Sequence, residues 1–186
     1  MTLVVLAAPE FDLDIALAYA TPENVTGKPI YACAEAQLHP DAAAALSRAI
    51  ALAASLGLRF RIFDAFRPVE AQWRLWEVFP DPEFVADPRV GSNHSRGVAI
   101  DLTLVDAASG TALDMGTPFD DFTALSHHAR NDLPPEAQRN RALLLGLMTA
   151  AGWDWNRYEW WHYQLFEPRR YPLLADAAAP RPLMAA

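Results

Sequence analysis

Two short segments of the sequence combine acidic and histidine side chains at spacings that suit metal-dependent catalysis. In RYEWWHYQLF, Glu159 lies three residues before His162 among aromatic rings. In GSNHSRGVAIDLTL, His94 precedes a predicted strand and Asp101 lies inside that strand. A carboxylate that is buried without a partner is costly, and a metal ion would compensate it. Two imidazoles and one carboxylate suit zinc and leave one coordination position for water, which is typical of a catalytic site.

Other side chains could complete such a site. A carboxylate beside the metal can take a proton from the attacking water and pass it to a leaving amine, so Glu159 is the candidate general base. In a strand, Glu159 and His162 would point to opposite faces, and we therefore expect a turn or bulge near Trp160. Arg67, in FDAFRP, offers a fork of donors for an oxyanion or a substrate carboxylate, and Asp64 could orient it.

Each of these residues also has an ordinary structural explanation. A histidine near a strand is more often a satisfied structural residue than a ligand, and the double tryptophan of EWWH is typical of core packing. His127 and His128 are two further imidazoles, and either could replace one of the chosen ligands, although a loop is a poorer platform than a strand. The acidic pair Asp120 and Asp121 is by default a solvated loop charge or a helix cap.

The elements that would position these residues alternate between helix and strand. We predict helices over 41–57, 67–79 and 135–152, and strands over 58–66, 97–105 and 158–166. Period-2 alternation puts Asp101 on the less apolar face of its strand, and Asp41 is a candidate cap for the first helix. The mixed order predicts an α+β fold with a small, mainly antiparallel sheet flanked by helices.

Composition narrows the class of protein. The chain has 186 residues, of which 52% are apolar and 20% charged, and this predicts one globular domain over residues 1–186, with no structure predicted for the tail after about residue 168. The net charge of -8 opposes nucleic acid or an anionic membrane as a partner. The single Cys33 excludes an internal disulfide and a cysteine zinc cluster. A short apolar start and the lack of a long apolar run lead us to expect a cytoplasmic, soluble protein.

Several motifs together resemble a known peptidase family. SNHSRGVAID has the form Ser-x-His-x-x-Gly-x-Ala-x-Asp, and EWWH has the form Glu-x-Trp-His. With AYATPENVTGKPIY, FDAFRP and MGTPFDDFTALSHHA in the same order, they resemble the D-alanyl-D-alanine dipeptidases, the VanX-like zinc D,D-dipeptidases of peptidase family M15, from about residue 12 to about residue 167. The resemblance implies a zinc D,D-peptidase (hedgehog-like) core and one Zn²⁺ per chain.

The resemblance also implies roles for individual residues. It assigns the zinc ligands to His94, Asp101 and His162, the catalytic base to Glu159, and stabilisation of the tetrahedral intermediate to Arg67. The implied reaction is hydrolysis of the free dipeptide D-Ala-D-Ala by direct attack of water, without a covalent intermediate.

Three further positions match residues that the family uses around its substrate. Asp120 and Tyr19 match positions near the free amino terminus, and Ser92 a position near the carboxylate. An anionic pocket for an ammonium group would favour free dipeptides, because an acylated amino terminus would bury Asp120 without its counter-charge. The expected partner is therefore a small dipeptide, and the sequence leaves the oligomeric state open.

Other functions could use similar residues. Related zinc peptidases act as D,D-carboxypeptidases or endopeptidases on cell-wall peptides, and the same metal set would serve them. A non-haem iron enzyme also uses two histidines and a carboxylate, but commonly as His-x-Asp, whereas six residues separate His94 from Asp101. A non-catalytic metal-binding module would have no need for Glu159 or Arg67. Protection from an antibiotic and recycling of wall fragments both remain possible roles.

Overall fold

The computed structural model describes residues 2–82 and 84–185. The strands are β1 (Val4–Val5), β2 (Leu13–Ile15), β3 (Gln37–Leu38), β4 (Leu58–Asp64), β5 (Ala99–Asp106), β6 (Asp154–Trp155) and β7 (His162–Gln164). The α-helices are α1 (Pro40–Ala54), α2 (Val69–Val78) and α3 (Pro135–Ala150). In the part of the chain that these ranges cover, no helix is both long and apolar enough to cross a membrane.

The main sheet has five strands in the order β2-β4-β5-β7-β6. The β2–β4 pair is parallel, whereas β4–β5, β5–β7 and β6–β7 are antiparallel. Strands β1 and β3 form a separate antiparallel pair. The prediction of a mixed fold with a small, mainly antiparallel sheet is therefore confirmed.

The central strand β5 is buried on both faces. Every residue from Ala99 to Val105 is buried, because β4 and β7 flank the strand and side chains cover both of its faces. The alternation read from the sequence suggested a less apolar face at Asp101, yet this carboxylate is only 2% exposed. Asp101 therefore needs a partner that offsets the cost of its burial.

The start of α1 differs in detail from the prediction. The N-cap is His39, whose Nδ1 accepts a hydrogen bond from the backbone N–H of Asp41 at 3.0 Å. Asp41 lies in the first turn instead, where its charge suits the helix dipole. Because Pro40 occupies the first helical position, the cap falls one residue before it.

The last predicted strand is shorter than expected. Only His162–Gln164 is strand, and a turn precedes it, with the backbone N–H of His162 donating to the carbonyl of Glu159 at 3.3 Å. The predicted turn near Trp160 is confirmed. The aromatic residues there are buried by packing on other segments and not by pairing in the sheet, which is why their β propensity was misleading.

The segment after residue 168, for which the sequence predicted no structure, packs on the rest of the protein. Tyr171 and Leu183 are buried, and the backbone N–H of Leu174 donates to the carbonyl of Ser95 at 2.8 Å. Leu173 lies so close to Gly91 that a Cβ there would approach its side chain to 2.7 Å. This tail segment therefore covers the turn that carries His94.

Candidate active site

A partly open cavity of about 180 Å³ brings the predicted functional residues together. Its walls include His94, Asp101, His162, Glu159, Arg67, Asp120, Tyr19 and Ser92. Asp64, the predicted support for Arg67, lies beside that arginine but outside the cavity wall. The fold thus gathers these side chains from distant parts of the sequence into one place.

Three potential ligand atoms converge at the centre of this cavity. His94 Nε2 lies 3.1 Å from His162 Nδ1 and 3.4 Å from Asp101 Oδ2. His162 Nδ1 lies 3.0 Å from Asp101 Oδ1. In the described part of the chain, these residues form the group of histidine and acidic side chains whose ligand atoms all lie within 4.8 Å of one another.

The tautomers of both histidines suit a bound cation. His94 Nδ1 donates to the carbonyl oxygen of Ala65 at 2.7 Å, and His162 Nε2 donates to Gln164 Oε1 at 3.2 Å. The second nitrogen of each ring, His94 Nε2 and His162 Nδ1, therefore faces Asp101. Two nitrogen lone pairs and a carboxylate oxygen that face one another fit a metal ion well, and the hydrogen bonds behind them fix the ring orientations.

The local backbone explains how His94 and Asp101 reach the same point. His94 begins a short 3-10 turn that ends at Gly97, whose φ of +67° favours glycine. A Cβ at Gly97 would also lie 2.9 Å from the side chain of Leu3. The chain then enters β5, where Asp101 is directly opposite His162 of β7. Sheet register thus places the predicted ligands Asp101 and His162 side by side.

Glu159 lies next to this group in the turn before β7. It is buried, its Oε2 accepts a hydrogen bond from Asn156 Nδ2 at 2.9 Å, and the same oxygen is 3.8 Å from His162 Nδ1. Burial, and then the charge of Asp101, raise the pKa of Glu159 to about 7. A carboxyl group with this pKa can accept and return a proton near neutral pH.

Arg67 is held so that one part of its guanidinium faces the site. Its Nε donates to Asp64 Oδ2 at 2.8 Å and its Nη1 to Gln72 Oε1 at 3.0 Å, whereas Nη2 lies 3.8 Å from Asp101 Oδ2. A register shift between Ile62 and Asp64 sets Asp64 opposite Asp101 on β5. The bulge thus orients the Asp64 carboxylate toward Arg67 and Asp101.

Asp120 and Tyr19 form a second polar wall. The Tyr19 hydroxyl donates to Asp120 Oδ2 at 3.0 Å. Asp120 has a φ of +57°, an uncommon conformation for a residue other than glycine. Burial, and then the charge of Asp101, raise the pKa of Asp120 well above its usual range. A cationic group that entered the cavity would favour the charged form of this carboxyl.

Ser92 has a different immediate role. Its hydroxyl oxygen accepts a hydrogen bond from the backbone N–H of His94 at 3.2 Å, so it helps to form the turn that carries His94. Its side chain still lines the cavity.

His127 and His128, the alternative ligand candidates, lie outside the group of ligand atoms. The His127 ring packs against Tyr158 at 5.1 Å, and the His128 ring packs against Trp155 at 5.0 Å. Neither residue lines the cavity. They therefore do not replace either of the predicted histidine ligands in this structure.

Sequence reasoning missed the amide side chains that orient the predicted residues. Gln164 holds His162, Gln72 holds Arg67 and Asn156 holds Glu159. Asn93 Nδ2 donates to Gln164 Oε1 at 2.6 Å. The position of Gln164, two residues after His162 and hence on the same face of a strand, was a usable signal for its role.

Comparisons with known proteins agree with this site. A peptidase M15 family described as D-ala-D-ala dipeptidase matches residues 1–176. The D-alanyl-D-alanine dipeptidase of Escherichia coli K12 is 51% identical over 174 residues, which cover 94% of this chain and 90% of the relative. The dipeptidase of the same name from Enterococcus faecium is 33% identical over 79% of this chain and 83% of its own length. The one from Streptomyces coelicolor is 33% identical over 80% and 84%. The chain therefore belongs to peptidase family M15, the D-Ala-D-Ala dipeptidases, as its motifs predicted.

Proposed function

We propose that this protein hydrolyses free D-Ala-D-Ala to two molecules of D-alanine, with one Zn²⁺ per chain held by His94, Asp101 and His162. The observation that carries the proposal is the convergence of these three ligand atoms in a cavity that Glu159 and Arg67 also line. The substrate is proposed from the relatives, which are D-alanyl-D-alanine dipeptidases. The proposal includes the zinc D,D-peptidase (hedgehog-like) core that the motifs imply.

The donor set favours zinc over other metals. Two imidazole nitrogens and one carboxylate oxygen are a catalytic zinc set, whereas calcium and magnesium prefer oxygen ligands, and among the described residues no second carboxylate joins the group whose ligand atoms all lie within 4.8 Å of one another. When bound, zinc would supply acidification of the attacking water and polarisation of the scissile carbonyl.

Two protein side chains then have separate roles, one in proton transfer and one in stabilising negative charge. Glu159 takes the proton of the attacking water and returns it to the departing amine of D-alanine, a role that suits its pKa of about 7. Arg67 uses Nη2 to meet the negative charge that develops on the carbonyl oxygen, because Nε and Nη1 are already committed to Asp64 and Gln72.

The second polar wall would select the substrate. Asp120, held by the Tyr19 hydroxyl, pairs with the ammonium group of a free dipeptide, and Ser92 lies near its carboxylate. An N-acylated peptide offers no positive charge, so it would leave the buried Asp120 uncompensated. This supports a free dipeptide as the substrate in preference to a longer wall peptide.

The test is amino-acid release by the zinc-loaded protein from D-Ala-D-Ala, N-acetyl-D-Ala-D-Ala and L-Ala-L-Ala. We expect release only from the free D,D-dipeptide, and loss of that release in Glu159→Ala. Cleavage of the acetylated peptide would instead support a carboxypeptidase acting on wall peptides. An inert, zinc-loaded protein would favour a non-catalytic metal-binding module.

A further inference from the structure

We infer that Arg141 of α3 is a positioning residue that holds Asp120 in place and thereby sets the preference for a free amino terminus. Arg141 does not line the cavity, and its effect would pass through the segment of residues 115–127, here called the Asp120 loop. The inference rests on the proposed function, in which Asp120 receives the substrate ammonium group.

The Arg141 guanidinium clamps both ends of the Asp120 loop. At the start of the loop, Nε donates to the carbonyl of Met115 at 2.6 Å and Nη2 to Thr117 Oγ1 at 3.2 Å. At the end of the loop, Nη1 donates to the carbonyls of Leu125 at 2.8 Å and His127 at 3.2 Å. One side chain thus fixes the separation of the two ends between which Asp120 lies.

This clamp uses a buried charge that has no salt-bridge partner among the described residues. Arg141 is 5% exposed, and its hydrogen-bond acceptors in the described residues are three carbonyls and one hydroxyl. Burial lowers the pKa of Arg141 to about 10, although Asp114 and Asp121 act in the opposite direction. A buried cation without a paired carboxylate is a poor source of stability. The planar fork of a guanidinium can, however, hold several acceptors at once in a fixed geometry.

The conformation of the loop shows why a clamp is needed. Asp120 has a positive φ, a backbone state that persists only where the surroundings enforce it. Next to it, Phe119 stacks on Phe63 at 4.9 Å and contacts Trp161 at 5.4 Å. These contacts fix the middle of the loop from one side, whereas Arg141 fixes its two ends.

The same cation also touches the turn that carries Glu159. Trp160 Nε1 donates to Thr117 Oγ1 at 2.8 Å, and the Arg141 guanidinium carbon lies 5.7 Å from the centre of the Trp160 ring. The turn is also held from outside the Asp120 loop, because the backbone N–H of Leu102 donates to the carbonyl of Trp161 at 3.1 Å and Asn156 Nδ2 donates to Glu159 Oε2 at 2.9 Å. Neither bond involves Arg141 or the Asp120 loop, so we expect the loss of Arg141 to act mainly through Asp120.

A double-mutant cycle in the zinc-loaded protein tests this inference. We expect Arg141→Met to raise KM for D-Ala-D-Ala about tenfold. Its kcat should stay within about threefold of the wild-type value, and its zinc content should be unchanged. In an Asp120→Asn background, the same Arg141→Met change should alter KM by less than about twofold, because the group that it positions is already disabled.

Matched variants separate positioning from general damage. Arg139→Met changes an exposed arginine of the same helix and should leave KM unchanged. Arg141→Lys keeps the charge but loses the fork, so its KM should lie nearer to that of Arg141→Met than to wild type. If Arg141→Met does not fold, Thr117→Val removes a clamped acceptor from the loop itself, and it should raise KM in the same way but by less.

Equal increases in KM on both Asp120 backgrounds would overturn the inference, as would a fall in kcat with KM unchanged. These results would leave the dipeptidase function intact, because wild-type turnover is measured in the same series. A wild-type protein without activity on D-Ala-D-Ala would overturn both proposals together.

Discussion

Four of the five histidines of this protein lie in two regions with opposite surroundings. In the first region, an acceptor oxygen orients each ring of His94 and His162, and both rings face the carboxylate of Asp101. In the second, Nε2 of His127 and of His128 is buried and has no hydrogen-bond partner among the described residues. Residue type and burial are thus similar, whereas hydrogen bonding and charge differ.

The difference shows which surroundings suit a histidine to metal binding. The first region combines acceptors behind the rings with an acidic group in front of them, so His94 Nε2 and His162 Nδ1 meet at one point beside Asp101. Around His128, burial first and then the positive charge of Arg141 lower the pKa to about 4. A cation is favoured in the first region and opposed in the second. The number of histidines in a segment is therefore a weaker predictor than the groups that orient them.

The largest expected effect is the loss of metal from the first region only. His162→Ala removes one of three ligands, so zinc affinity should fall by more than about 100-fold and activity should disappear. His128→Ala, the matched change in the second region, should retain wild-type zinc content. Metal analysis after dialysis against a chelator measures both. Zinc loss from His128→Ala would show that a zinc ligand lies in the second region and would contradict the proposed ligand set.

A second change separates chemistry from metal binding within the first region. Glu159→Ala should reduce kcat by about 10²- to 10⁴-fold, the range for loss of a general acid–base group, while zinc remains bound. Steady-state kinetics and metal analysis on the same sample measure the two effects. A metal-free Glu159→Ala protein would instead make this residue a ligand.

A third change tests whether the hydrogen bond that orients the His162 ring contributes to zinc affinity. Gln164→Leu removes the acceptor behind His162, and zinc affinity should fall by about 10- to 100-fold. Gln164→Glu keeps an acceptor oxygen for both His162 and Asn93 and should remain close to wild type. Competition with a chromogenic chelator measures these affinities. Equal affinities for Gln164→Leu and Gln164→Glu would show that ring orientation comes from packing alone.

The smallest expected effect concerns stability in the second region. His128 has a pKa of about 4 when folded, whereas an unfolded histidine has a pKa of about 6.5. The unfolded chain therefore binds the proton more tightly, so this contribution to stability is complete above pH 6.5 and is lost as the pH falls toward 4. At pH 5 the loss is about 2 kcal/mol. Urea unfolding of wild type and His128→Phe at pH 7.5 and pH 5 measures it. If the free energy of unfolding fell equally in both proteins between pH 7.5 and pH 5, the loss could not be assigned to His128.

The sequence predicted the parts of the site that lie within motifs. His94 and Asp101 share one segment, and Glu159 and His162 share another, so their types and spacing are visible in a single chain. The alternation of β4 and the alanine-rich pattern of α1 also predicted those elements correctly, because local burial determines both.

The parts that the sequence did not reveal depend on contacts between distant segments. Arg141 meets acceptors 14 to 26 residues away, and a helical arginine gives no local sign of such partners. Asp101 gains its neighbours Asp64 and His162 only once β4 and β7 have paired with the two edges of β5. The alanine- and proline-rich tail segment has little periodicity, so the burial of Tyr171 and Leu183 could not be predicted from it.

The tail segment that covers the His94 turn also creates a site of proteolytic sensitivity. Arg169 and Arg170 are exposed just before Tyr171, so they are accessible to a trypsin-like protease. A cut there would release the part of the tail whose Leu174 amide is bonded to Ser95, and the neighbouring His94 turn would lose its cover. A nicked preparation would then lose activity with every catalytic side chain still present, and the intact mass of the sample is the appropriate check before any variant is compared.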